Sequence, residues 1–157
     1  MRLDPRLPIL LVLLLGADLA CSSRHPLEGA RAPEVELPDL AGQRHSLAGL
    51  LTVTTVLTFW TDCIVCRSEL PLVASAVRQS KGKLGAVGIN SRETPEQVRA
   101  MADQLGLDFP VLLDRGQQAE TSYQVVTAPT AFLIEPPGQI LEVQVGRAGY
   151  DLAWRRR

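Results

Sequence analysis

Cys63 and Cys66 are separated by Ile64 and Val65 in the run Trp60-Thr61-Asp62-Cys63-Ile64-Val65-Cys66-Arg67, directly after the apolar stretch 52–59. A Cys-x-x-Cys pair where a buried strand gives way to a helix is suited to thiol-disulfide exchange. The first N–H groups of a helix lack partners within it and its dipole is positive there, so an anion is favoured. Here the anion is the thiolate of Cys63, the form that attacks disulfides. Cys63, nearer the helix start, would attack a partner disulfide, and Cys66, one turn further in, would resolve the mixed disulfide. A static disulfide or half of a zinc site are the competing uses of such a pair. A zinc site built from cysteines alone, or from cysteines and histidines together, needs ligands beyond this pair. The chain offers only Cys21 and two histidines, His25 and His45, which read as surface residues. No metal or other cofactor is expected beyond the redox-active disulfide Cys63–Cys66.

Alternating strand and helix patterns from Ala32 onward argue for an α/β domain. Segments 34–37 and 43–47, around the turn-like 39–42, read as a hairpin, and the β-branched run 52–59 as a central strand buried on both faces. Over 65–80, Leu70, Val73, Ala74 and Val77 share one helical stripe, and Pro71 predicts a kink. Segment 84–89 reads as a second strand. Thr94-Pro95-Glu96-Gln97 combines an N-cap, a first-turn proline and a capping-box glutamine, so a helix is predicted over 95–105. Strands are expected over 109–113, 130–134 and 140–145, a short helix over 117–123, and a turn at 136–138.

Arg2 and Arg6 precede the apolar stretch 7–15, then small residues and Cys21. This reads as an export signal over 1–20, too short for the roughly 20 apolar residues of a membrane span. Cleavage before Cys21 with a lipid on its sulfur is one outcome, although Asp18 stands where a lipobox carries leucine; cleavage after Ser22 and retention as an uncleaved anchor are the others. All three place the domain outside the cytoplasm. Residues 21–31 read as a tether and 32–157 as the domain. A net charge of −1, from 16 Lys and Arg against 17 Asp and Glu, gives no reason to expect nucleic acid.

Phe59-Trp60 before the cysteine pair, Arg67-x-Glu69-x-Pro71 after it, Phe109-Pro110-Val111-Leu112-Leu113-Asp114, and Ala128-Pro129-Thr130-Ala131-Phe132-Leu133-Ile134 occur in a specific order and spacing. In these residues the chain resembles the TlpA/ResA group of extracytoplasmic thioredoxin-like proteins. The resemblance implies a thioredoxin fold with an N-terminal β-hairpin extension and an insertion between core strands that holds the 95–105 helix. It further implies that Pro129 is cis and faces the cysteine pair, that Ala128, Pro129 and Trp60 belong to the substrate-binding surface, and that Glu69 sits near the sulfurs and helps to move protons. Its partners would be disulfides of exported proteins, apocytochromes c among them, with a membrane thiol as electron donor.

Asp62 replaces the tryptophan that such proteins carry before the first cysteine, and Ile64-Val65 lacks the frequent proline. A carboxylate beside Cys63 opposes thiolate formation by like-charge repulsion, which favours a reductant over an oxidant. Two other functions remain open. A peroxiredoxin-like peroxidase would need Pro at 56 and Thr at 60, where the chain has Val56 and Trp60. A non-catalytic copper-binding module could use Cys63 and Cys66 as soft ligands, but the copper-delivery relatives add a downstream histidine that this chain lacks. The segment 150–157 is short for a closing helix.

Overall fold

The computed structural model describes residues 24–146. Cys21 with the export signal, and the closing segment 150–157, lie outside the described residues. Eleven elements follow in chain order: β1 (Glu36–Pro38), β2 (Arg44–Ser46), α1 (Leu47–Leu50), β3 (Thr54–Trp60), α2 (Ile64–Gln79), β4 (Leu84–Asn90), α3 (Pro95–Leu105), β5 (Val111–Leu113), α4 (Gln118–Ser122), β6 (Thr130–Glu135) and β7 (Gln139–Val145). β1 and β2 form the expected antiparallel hairpin. The other five strands make one mixed sheet in the order β5-β4-β3-β6-β7. β3 runs parallel to β4, and β4 to β5, whereas β6 and β7 are antiparallel to their neighbours. Two parallel strands need a crossover, and α2 supplies it between β3 and β4. This is the thioredoxin fold, with α3 and β5 inserted between β4 and β6.

β3 lies at the centre of the sheet, and its two-residue period feeds two cores. Val56 and Trp60 join Cys66, Leu70, Val73 and Ala74 of α2, Val98 and Met101 of α3, and Phe109 on one face. Leu57 and Phe59 join Val87, Ile89, Phe132, Ile134, Ile140 and Tyr123 on the other, together with Leu37 and Leu47 of the hairpin region. Phe59, Tyr123 and Phe132 form a cluster with ring centroids 5.1–5.7 Å apart. The buried Tyr123 hydroxyl donates to the Pro33 carbonyl at 3.0 Å. Burial, and then the negative charge of Glu34, push its phenol pKa up.

α3 begins as its local code dictates. Thr94 Oγ1 accepts the Gln97 N–H at 3.3 Å, Gln97 Oε1 accepts the Thr94 N–H at 2.9 Å, and Pro95 opens the helix. Gly106, with φ of 64°, closes it in the left-handed conformation. α2 remains one continuous helix through Pro71. Residues 29–32 are held along β7 by bonds between Gly29, Ala30 and Ile140 and from Ala32 to Gly138, and Arg31 bridges Gln139. The end of the expected tether is therefore packed against the domain, because these backbone groups satisfy the edge of β7.

Gly88 on β4 lies beside the Trp60 indole. A Cβ built there would sit 2.8 Å from Trp60 Nε1, with Phe109 and Val111 at 3.4 and 3.5 Å behind. The ring is buried and cannot swing aside, so Gly88→Ala overpacks this core. It is expected to lower stability by about 1–3 kcal/mol, read as a shift of the urea midpoint at constant m-value. An unchanged midpoint would show that the indole has room to move.

Candidate active site

Cys63 is the N-cap of α2, in extended conformation with φ −121° and ψ 153°. Its Sγ accepts the Cys66 N–H at 3.0 Å, and its carbonyl accepts the Arg67 N–H at 2.9 Å. The helix start thus directs a backbone donor at the sulfur that must carry negative charge. Cys63 and Cys66 are joined in a disulfide, with Cα atoms 5.1 Å apart. Cys63 is partly exposed, while Cys66 is fully buried in the core beneath α2. Only Cys63 is therefore open to a large partner.

The Ala128–Pro129 peptide is cis. It ends the loop that leads into β6, and the Ala128 carbonyl oxygen lies 4.0 Å from Cys63 Sγ. Pro129 is buried and Ala128 partly exposed. The fold therefore brings together Cys63, Cys66 and Ala128-Pro129 from two distant stretches of chain. Trp60 is not part of this surface. It is 1% exposed, because its place on β3 turns the indole into the core covered by α2 and α3. It packs in the core with Cys66 of α2.

Asp62 does not stand alone beside the nucleophile. Its Oδ1 accepts Arg67 Nε at 2.6 Å, and Arg67 Nη1 donates to Gln104 of α3 at 3.1 Å. The hydrogen bond from Arg67, helped by its charge, holds the Asp62 carboxyl below the usual carboxylate range, while Asp62 raises the Arg67 guanidinium in return. Asp62, next to Cys63 in sequence, is thus ion-paired, and the bare repulsion expected from it is offset by the neighbouring cation. Asp62→Asn leaves Arg67 unopposed and should lower the Cys63 pKa. Arg67→Gln leaves the carboxylate unopposed and should raise it. Each shift should be about one unit or less, since both side chains are solvated. Thiolate absorbance titrations of the reduced proteins give the sign, and equal shifts in the same direction would break the scheme. Because the carboxylate's pKa is depressed by folding, the ion pair's contribution to stability is present above the usual carboxylate pKa and is lost as pH falls through the depressed value.

The turn before α2 is fixed from β4. The Asp62 N–H donates to Glu93 Oε1 at 2.9 Å, and Glu93 Oε2 accepts Asn90 Nδ2 at 2.7 Å. The same amide donates to the Trp60 carbonyl at 3.2 Å. Arg115 Nη1 binds the Glu93 carbonyl at 2.8 Å. Sequence reasoning misses Glu93, Asn90 and Arg67 as site residues; only the strand end at Asn90 hints at a loop near the cysteines.

Glu69 lies three residues beyond Cys66, on the flank of α2 opposite Arg67 and Arg78. Those two arginines reach α3 and the loop behind it through Gln104, Gly106 and Asp108. Glu69 is 6% exposed, and its Oε2 is buried with no hydrogen-bond partner. Thr58 Oγ1 and Trp60 Nε1 on β3 are likewise buried and unpartnered. Among the described residues no group of three or more His, Cys, Asp or Glu could hold a metal ion.

Comparison with known proteins agrees with this geometry. The thioredoxin-like protein YneN of Bacillus subtilis is 33% identical over 123 residues, covering 76% of this chain and 72% of its own length. The thiol-disulfide oxidoreductase ResA of Bacillus subtilis is 35% identical over 121 residues, with 76% and 68% covered. Among solved structures, the thioredoxin domain of a thiol-disulfide oxidoreductase from Bacteroides vulgatus superposes with a TM-score of 0.72 at 20% identity, covering 82% of this chain and 96% of that one, and so supports the fold. The AhpC/TSA family model matches residues 29–143, and with the strand, cysteine-bearing helix and proline loop in place, the chain belongs to the AhpC/TSA family of thioredoxin-fold proteins.

Proposed function

We propose that the chain is a thiol-disulfide oxidoreductase that works outside the cytoplasm as a reductant of disulfides in exported proteins. The observation that carries this reading is the partly exposed Cys63 at the start of α2, bonded to a buried Cys66 and facing the Ala128 carbonyl. In the reduced protein the Cys63 thiolate attacks one sulfur of a client disulfide. A bond forms between Cys63 and that sulfur, the client S–S bond breaks, and the released client thiolate takes a proton. Cys66 then loses its proton and attacks Cys63 Sγ, closing the Cys63–Cys66 disulfide and freeing the second client thiol. Two electrons and two protons pass to the client, and a dithiol donor at the membrane must return them. Ala128 and Pro129 would shape the surface on which an extended client segment lies.

The resemblance to the TlpA/ResA group and the export-type N-terminus support an extracytoplasmic setting, and apocytochrome c cysteines are the clients suggested by that resemblance. Among the described residues no helix is long and apolar enough to cross a membrane; attachment through the leader or through a lipid at Cys21 belongs to this proposal. The test is insulin reduction by the purified chain with dithiothreitol, run beside peroxide consumption and Cu(I) retention after desalting. Accelerated insulin reduction is expected. Peroxide turnover or copper retention without it would replace this reading by a peroxidase or a copper carrier.

A further inference from the structure

We infer that residues 25–33 form a strap that holds the cis-proline loop in place against Cys63, and that His25 is its positioning residue. The inference rests on the oxidoreductase reading above. Both legs of the loop meet the strap. On the incoming leg, His25 Nε2 lies 3.5 Å from the Gln124 carbonyl oxygen, and the Tyr123 hydroxyl donates to the Pro33 carbonyl at 3.0 Å. On the outgoing leg, Phe132 of β6 packs against the His25 ring in a T-shaped pair, with centroids 5.2 Å apart and planes at 89°. Between the legs runs 125–129, whose Ala128 carbonyl oxygen is 4.0 Å from Cys63 Sγ. His25 thus sits at the base of the loop and touches the chain on either side of it.

The strap can hold the loop because it is itself held. Gly29 and Ala30 bond to Ile140 and Ala32 to Gly138, Gln139 Nε2 donates to the Gly29 carbonyl at 2.6 Å, and Leu27 packs against the core that contains Tyr123 and Phe132. The Leu27 N–H donates to His25 Nδ1 at 3.2 Å. That bond steadies the ring and, in the neutral imidazole, puts the proton on Nε2, the nitrogen beside the Gln124 carbonyl. Gln124 needs this support. Its φ of 53° lies in the left-handed region, a conformation that a residue with a side chain keeps only where its surroundings enforce it. Without the strap Gln124 relaxes, and the edge at Ala128 shifts relative to the sulfur. A misplacement of about 1 Å can cost about 10²-fold in rate. A client that pairs along this edge therefore depends on His25 through the loop, whereas a small reagent that needs only the thiolate does not.

The test compares the full-length chain with His25→Ala and His25→Asn. An asparagine side chain can still accept the Leu27 N–H two residues on, but it has no ring to set against Phe132. Each reduced protein is followed in two reactions, single-turnover reduction of insulin and alkylation of Cys63 by iodoacetamide read on its own peptide, with the urea midpoint reporting the fold. Insulin reduction should fall by about tenfold or more in both variants, with alkylation unchanged. Amide exchange at Val125, whose N–H donates to the Glu120 carbonyl at 2.9 Å, should quicken while exchange in β3 stays the same. A strap that only adds stability would lower the midpoint and leave both rates alone. Insulin reduction at the wild-type rate in either variant, or equal loss of both reactions, would overturn the inference while the wild-type activity keeps the oxidoreductase reading. A wild-type chain that does not reduce insulin would overturn both.

Discussion

Cys66→Ser is expected to accumulate disulfide-linked complexes with exported proteins through Cys63, and Cys63→Ser to accumulate none. The difference follows from burial and from the helix start. Removing the Cys66 sulfur leaves the Cys66 N–H, which stands 3.0 Å from Cys63 Sγ, and leaves Cys63 partly exposed at the N-cap. The first attack therefore proceeds, and the product has no internal thiol to resolve it. In Cys63→Ser the remaining sulfur is fully buried, where a polypeptide cannot reach it. Turnover should drop to background in both variants, so activity alone cannot separate the roles and trapping can. Non-reducing gels of cells expressing each variant, followed by dithiothreitol release and mass spectrometry, make the measurement. Equal trapping by both, or by neither, would reverse or remove the assignment.

What is legible in the chain is short-range. The start of α3 is written within Thr94, Pro95 and Gln97, whose side chains and backbone satisfy each other over four positions, and both bounds of the helix fall where its residues predict. The cysteine pair depends only on a β-branched strand followed by a helix, and that junction is also local. Contacts over longer separations are hidden. The bond from the Asp62 N–H to Glu93 spans 31 positions, and the Asp62–Arg67 pair spans five, across an extended turn rather than along one helical face. Treating Asp62 as an isolated charge overlooks this partner. Trp60 is misplaced for a different reason: proximity to Cys63 in sequence suggests a place on the client surface, but a strand buried on both faces sends alternate residues inward. The hairpin strands are shorter than their residues suggest, Glu36–Pro38 and Arg44–Ser46, and the one-turn α1 carries too few residues to show a period.

Glu69→Leu is expected to stabilise the protein and to slow the release of clients. A carboxyl group that is 6% exposed with one oxygen unpartnered carries a desolvation penalty, and nothing in the described structure repays it. A buried polar group left without a partner costs about 1–3 kcal/mol, so with leucine in its place the denaturation midpoint should rise. Glu69 follows Cys66 by three residues on the same helix, which suits it to accept the proton that Cys66 must lose before attacking the mixed disulfide. Loss of such a group typically costs about 10²–10⁴-fold in rate. That loss should fall on the second step, seen as slower release of a labelled client from Cys63, with alkylation of Cys63 by iodoacetamide little changed. Glu69→Gln, which keeps the shape and loses the acid, should behave like Glu69→Leu in rate but not in stability. Release at the normal rate in both variants would leave Glu69 as a buried acid with no part in the chemistry.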